Sequence, residues 1–103
     1  MNCVKTYKGI RLASQSLFVS VNDAPLKSRP DLQPGTLVDF FECGYLGAGP
    51  MLLSLAILAD CLGDDKLAVE KCPEFEKNIC SKLPADKSWT LTSAYISNAL
   101  NLG

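Results

Sequence analysis

The sequence contains no histidine. That removes Ser-His-Asp and Cys-His catalysis, because both need an imidazole to take the nucleophile's proton. It also removes the most common zinc donor, leaving only scattered thiols or carboxylates. No apolar run is long enough to cross a bilayer. The longest, residues 51–62, is broken by Ser54 and Asp60 and falls short of the roughly 20 residues a span requires. The first ten residues hold Lys5 and Lys8 but no apolar segment of the kind a secretory leader carries. A cytoplasmic location is therefore expected.

Cysteine is present, but not in a pattern that points to a staple or a metal. The five thiols, Cys3, Cys43, Cys61, Cys72 and Cys80, are odd in number, and no two form a C-x-x-C pair. The expectation is buried or half-buried free thiols, with no metal site and no cofactor. Hydrophobic residues make up 48% and charged residues 20%, a composition that can build a core. The chain is long enough for one such core, so residues 1–103 are read as a single domain. It divides into a strand-rich part, 1–44, and a helical part, 50–101.

The net charge of −1 gives no overall reason to bind nucleic acid. The charge is unevenly spread, however. Lys5, Lys8, Arg11, Lys27 and Arg29 oppose Asp23 alone in residues 1–30, whereas the remainder is acidic. Lys5, Lys8 and Arg11 are candidate interaction residues on this basis. Lysines protecting a solvated strand edge would explain them equally well.

Residues 3–7 alternate and are β-rich, with Gly9 as a break after them. Residues 16–21 read as a second strand pairing with the first in a hairpin, followed by the turn formers Asn22 and Asp23. Pro25, Pro30, Pro34 and Gly35 make residues 24–35 an irregular connection. Residues 37–43 read as a third strand, Val38, Phe40 and Glu42 facing one way and Phe41 and Cys43 the other.

Helices follow. Pro50 suits the first helical position, the helix 51–62 is apolar on nearly every face, and Gly63 can end it in a left-handed cap. Asp64 or Asp65 can cap the next helix. Its core stripe is Ala68, Val69, Cys72, Phe75, Ile79, Cys80 and Leu83, and it continues through Pro73, so one kinked helix is expected up to Pro84. Thr92 caps a last helix, 93–100, with Leu91 and Ile96 as a hydrophobic staple. The class is α+β: a small antiparallel three-stranded sheet (β-β-β) followed by three helices packed on one face.

The glycine-rich segment 44–50 offers the best candidate ligand site, with Tyr45, Gly47 and Gly49 as its residues. A glycine-rich turn before a helix can hold an anion on free N–H groups. The spacing matches neither a P-loop, which needs a lysine after the last glycine, nor a dinucleotide fingerprint. The other reading is that the glycines permit positive φ and a close approach of helix to sheet. Trp89 is either an exposed binding anchor or a ring packed over the core edge. Asp60 has no evident catalytic partner and fits an exposed stripe or a bond to nearby backbone.

The combination of Tyr7-Lys8-Gly9, Phe41-Glu42-Cys43-Gly44-Tyr45, Gly47-Ala48-Gly49-Pro50 and Leu55-Ala56-Ile57-Leu58 resembles a family of small bacterial, archaeal and phage proteins known as a domain of unknown function. Asp60, Leu62-Gly63-Asp64-Asp65, Ala68, Phe75, Leu83-Pro84 and Trp89-Thr90-Leu91-Thr92 extend the resemblance. Cys43 and Lys77 stand where aromatic residues are expected, and Pro73 interrupts a helix that is regular in the pattern. The resemblance implies no activity, cofactor or catalytic residue, and it suggests an origin in a phage, plasmid or other mobile element.

The expected function is a small non-enzymatic interaction module that binds another protein or a second copy of itself, without a membrane. A nucleic-acid accessory role for the basic N-terminal hairpin is one alternative. A small-anion binder or enzyme at the 44–50 turn is another.

Overall fold

The structure, a computed structural model, describes residues 4–32 and 38–101. It is α+β, with an antiparallel sheet and three helices. Strands β1 (Thr6–Arg11) and β2 (Leu17–Val21) form the expected hairpin. Asn22 and Asp23 both take positive φ, 48° and 69°, and return the chain into a short strand β3 (Ala24–Pro25). A two-residue turn of this kind matches the twist of the strands it joins. Pro25 is tolerated because β3 is an edge strand.

Helix α1 (Ala48–Leu62) comes next, then α2 (Asp65–Asn78), strand β4 (Trp89–Thr92) and helix α3 (Ser93–Ala99). The sheet order is β3-β2-β1-β4. The end signals read from the sequence hold: Gly63 is left-handed at φ 65°, Asp64 accepts from the Leu67 N–H, and Thr92 accepts from the Tyr95 N–H. Pro73 lies inside one continuous α2.

Four local expectations are corrected. Residues 38–43 form no strand, and residue 37 lies outside the described residues. Both edges of β1 are already taken by β2 and β4, so this segment has no place beside it. The Glu42 N–H bonds instead to the Gly49 carbonyl in the first turn of α1, and the Gly44 N–H, just after the segment, to the Cys80 carbonyl. The missing strand is β4, where Trp89 and Leu91 point inward and Thr90 outward. Helix α1 begins at Ala48, so Pro50 is its third residue, still within the turn where a missing N–H is harmless. Helix α2 ends at Asn78, and residues 80–82 tighten into a 3-10 turn.

Gly9 does not interrupt the sheet. It sits in mid-strand, opposite Val19 on one side and Trp89 on the other. A Cβ there would overlap the Trp89 ring, so the indole packs directly against the bare glycine. Trp89 is 7% exposed and joins the core. This contact ties the Tyr7-Lys8-Gly9 motif to the Trp89-Thr90-Leu91-Thr92 motif across the β1–β4 ladder.

One cluster of buried side chains runs from Tyr7, Val19 and Leu91 on the sheet through Leu53 and Ile57 of α1 to Phe75 of α2. Ser54, the polar break in α1, is fully buried and donates to the Pro50 carbonyl at 2.8 Å. Back-bonding of this kind lets a serine sit inside an apolar helix.

Gly9→Ala is expected to destabilise the fold by about 1–3 kcal/mol, the range of an overpacked core, and to lower Tm by about 5–20 °C for a domain of this size. Trp89→Phe in the same chain should recover part of the loss. Thermal unfolding followed by circular dichroism measures both, and an unchanged Tm in Gly9→Ala rules the contact out.

Candidate functional site

The turn before α1 is packed rather than open. Its glycines serve close approach: a Cβ on Gly49 would meet the Glu42 Cβ at 2.9 Å. Of Gly44, Gly47 and Gly49, only Gly44 takes a left-handed backbone, with φ at 88°. The Gly47 N–H, at the mouth of α1, donates to Glu76 Oε2 at 2.9 Å. Glu76 comes from α2 and is 5% exposed. The anion position expected at this helix start is thus filled by the chain's own carboxylate. The turn brings Tyr45, Gly47 and Gly49 together, and the Tyr45 ring lies against Gly47.

Glu76 was legible in part. It follows Cys72 by four residues and Phe75 by one, which places it beside the core stripe of α2. A carboxylate there needs a donor, and the sequence does not say which loop supplies it.

The other end of α1 holds a second polar cluster. Asp60 does not bond only to nearby backbone. Its Oδ2 accepts from the Tyr7 hydroxyl at 2.8 Å and from Lys5 Nζ at 3.3 Å. Lys5 Nζ also donates to the Asp60 carbonyl at 3.0 Å. Tyr7 is fully buried, and its phenol is pushed above the ordinary range, first by burial and then by donation to Asp60.

The basic residues read as an interaction face are committed to acids from elsewhere in the chain. Lys5 pairs with Asp60, and Lys8 lies 3.9 Å from Asp23. Arg11 makes two 2.9 Å bonds to the Glu42 carboxylate. Arg29 binds both Asp31 and Asp65. Asp60, Glu42 and Asp65, from beyond the basic stretch, thus fold onto its cations, an offset invisible in a running charge count, while Asp23 and Asp31 supply local partners. Trp89 is buried against Gly9, so it is no exposed anchor. Its Nε1 makes no hydrogen bond of ordinary geometry, its polar neighbour being the Cys43 sulfur.

The four described cysteines are free, and three of them, Cys43, Cys72 and Cys80, are buried. Burial pushes all four thiols up, Cys72 and Cys80 to about 12. A nucleophilic thiol needs the opposite shift. Cys3 lies outside the described residues. No group of three or more metal-ligating side chains occurs among the described residues, and no helix among them is long and apolar enough to cross a membrane.

These shifts set an alkaline limit on the fold. An unfolded tyrosine loses its proton near pH 10, whereas folded Tyr7 retains it. Above that pH the folded state binds more protons than the unfolded one, so stability falls as pH rises. The buried thiols begin the same loss above the ordinary thiol range. The urea midpoint should therefore decline from about pH 9 to about pH 11, and Tyr7→Phe should flatten the part of the slope above about pH 10. Identical slopes in the two proteins, or a phenolate signal from Tyr7 before unfolding, would contradict this.

Searches of curated proteins and of solved structures find no match. A model described as a family of unknown function, DUF6166, matches residues 7–102. That span covers all three helices, the Gly47–Glu76 contact, the Tyr7–Asp60 bond and the strands apart from the first residue of β1, and the chain belongs to this family.

Proposed function

We propose that this chain is a small non-enzymatic interaction module, whose contact surface is formed by Phe40, Tyr45 and Leu46. The supporting observation is their exposure, 52%, 49% and 62%, on a turn whose backbone is firmly held. Phe40 and Tyr45 both lie against the glycines of that turn, Phe40 beside Gly49 and Tyr45 beside Gly47. Aromatic side chains on a rigid support lose little freedom on binding and dominate contact energies. The glycines fix the turn, Glu76 and Gly49 hold its backbone in place, and the apolar side chains project from it.

The non-enzymatic part rests on the absence of histidine and on thiols shifted away from reactivity. The nucleic-acid alternative draws on the N-terminal cations, and their pairing with Asp60, Asp23 and Glu42 weighs against it. A cytoplasmic location and a mobile-element origin belong to the same proposal, the second on the strength of the resemblance alone.

A photo-crosslinking residue at Leu46, compared with one at exposed Lys87, tests the surface in the producing cell. A discrete adduct is expected from position 46 only, with a partner protein or a second copy, and Phe40→Ser with Tyr45→Ser should abolish it. No position-specific adduct, together with a strict monomer in sedimentation, sinks the proposal.

A further inference from the structure

A cleft of about 300 Å3 opens between the segment after β3 and the C-terminal half of α1. Leu26, Lys27 and Arg29 line one side, and Ala56, Ala59 and Asp60 the other. The hollow has a local cause. Ala56 and Ala59 lie one turn apart among Leu55, Ile57, Leu58 and Leu62, so two small side chains leave space where large ones would close it. Leu26, Ala56 and Ala59 are themselves buried, which makes the floor apolar.

The charged groups around this floor are unevenly satisfied. Arg29 is held between Asp31 and Asp65. Asp60 uses Oδ2 for Tyr7 and Lys5, and its Oδ1 accepts no hydrogen bond among the described residues. Lys27 has neither an ion pair nor a hydrogen bond among them. The cleft therefore presents one cation without a counter-ion, one carboxylate oxygen without a donor, and apolar surface with them.

We propose that this cleft binds a small organic acid: a carboxylate for Lys27, a short apolar body for the alanine floor, and a hydroxyl or ammonium donor for Asp60 Oδ1. The volume is at the lower end of small-molecule sites, which suits a molecule of amino-acid size. Tyr7 and Lys5 hold the Asp60 carboxylate in place, and the ion pairs of Arg29 fix the opposite wall. The site is separate from the turn before α1 and does not depend on the interaction surface proposed there.

Titration of the full-length protein followed by amide chemical shifts tests this with four related probes. L-leucine and 2-hydroxyisocaproate carry both the carboxylate and a donor, isocaproate lacks the donor, and isoamylamine lacks the carboxylate. The first two are expected to move amides of residues 26–29 and 56–60 saturably. Isocaproate should bind about tenfold more weakly, the worth of one charge-assisted hydrogen bond, and isoamylamine should leave those amides unmoved. Lys27→Glu, at an exposed position where the fold should be unaffected, should remove the binding while its melting curve stays unchanged. Absent shifts, equal affinity for isocaproate, equal shifts from isoamylamine, or undiminished binding by Lys27→Glu each overturn the assignment.

Discussion

Helix α1 is apolar on nearly every side and carries no acid in its first turn and no base in its last. A helix needs the opposite, negative charge at its start and positive charge at its end, each worth about 0.3–1 kcal/mol. Both charges come from elsewhere in the chain. Glu76 of α2 meets the Gly47 N–H at the start. Lys5, just before β1, meets the Asp60 carbonyl and carboxylate near the end. Asp60 by itself is an acid at the wrong end of the helix, and Lys5 offsets it. The most buried element of the protein is thus held end to end by two long-range polar contacts, one to α2 and one to the sheet.

The seating of α1 shapes what surrounds it. A carboxylate from within the chain occupies the helix mouth, and the apolar side chains of the glycine turn, Tyr45 and Leu46, stand exposed beside it. Because Asp60 is tied back to Tyr7 and Lys5, it faces the cleft with only one oxygen uncommitted. The distribution of charge follows the same logic. Cations concentrated early in the sequence find part of their counter-charge beyond that stretch, in Glu42, Asp60 and Asp65, and the folded surface is more balanced than the linear chain.

Much of the architecture was legible, because it rests on local rules. The left-handed cap at Gly63, the caps at Asp64 and Thr92, and the turn at Asn22-Asp23 need only their own backbone. The apolar run of α1 marked the central helix by composition alone. What escaped depended on competition between distant segments. Residues 38–43 have strand-like alternation, and Trp89–Thr92 have it over fewer positions, yet the shorter segment wins the edge of β1. Gly9, whose bare face accepts the Trp89 ring, favours the shorter segment. The pairing of Tyr7 with Asp60, and of Glu76 with Gly47, left no local trace beyond a polar residue in an apolar stripe.

The most direct measurement of this account is the amide proton resonance of Gly47. If Glu76 occupies the mouth of α1, that resonance lies at low field in the native protein and moves upfield in Glu76→Gln. It also stays unmoved when inorganic phosphate is added in excess. A saturable phosphate shift at Gly47 in the native protein, with no response to Glu76→Gln, would show a turn open to an outside anion and would contradict the account.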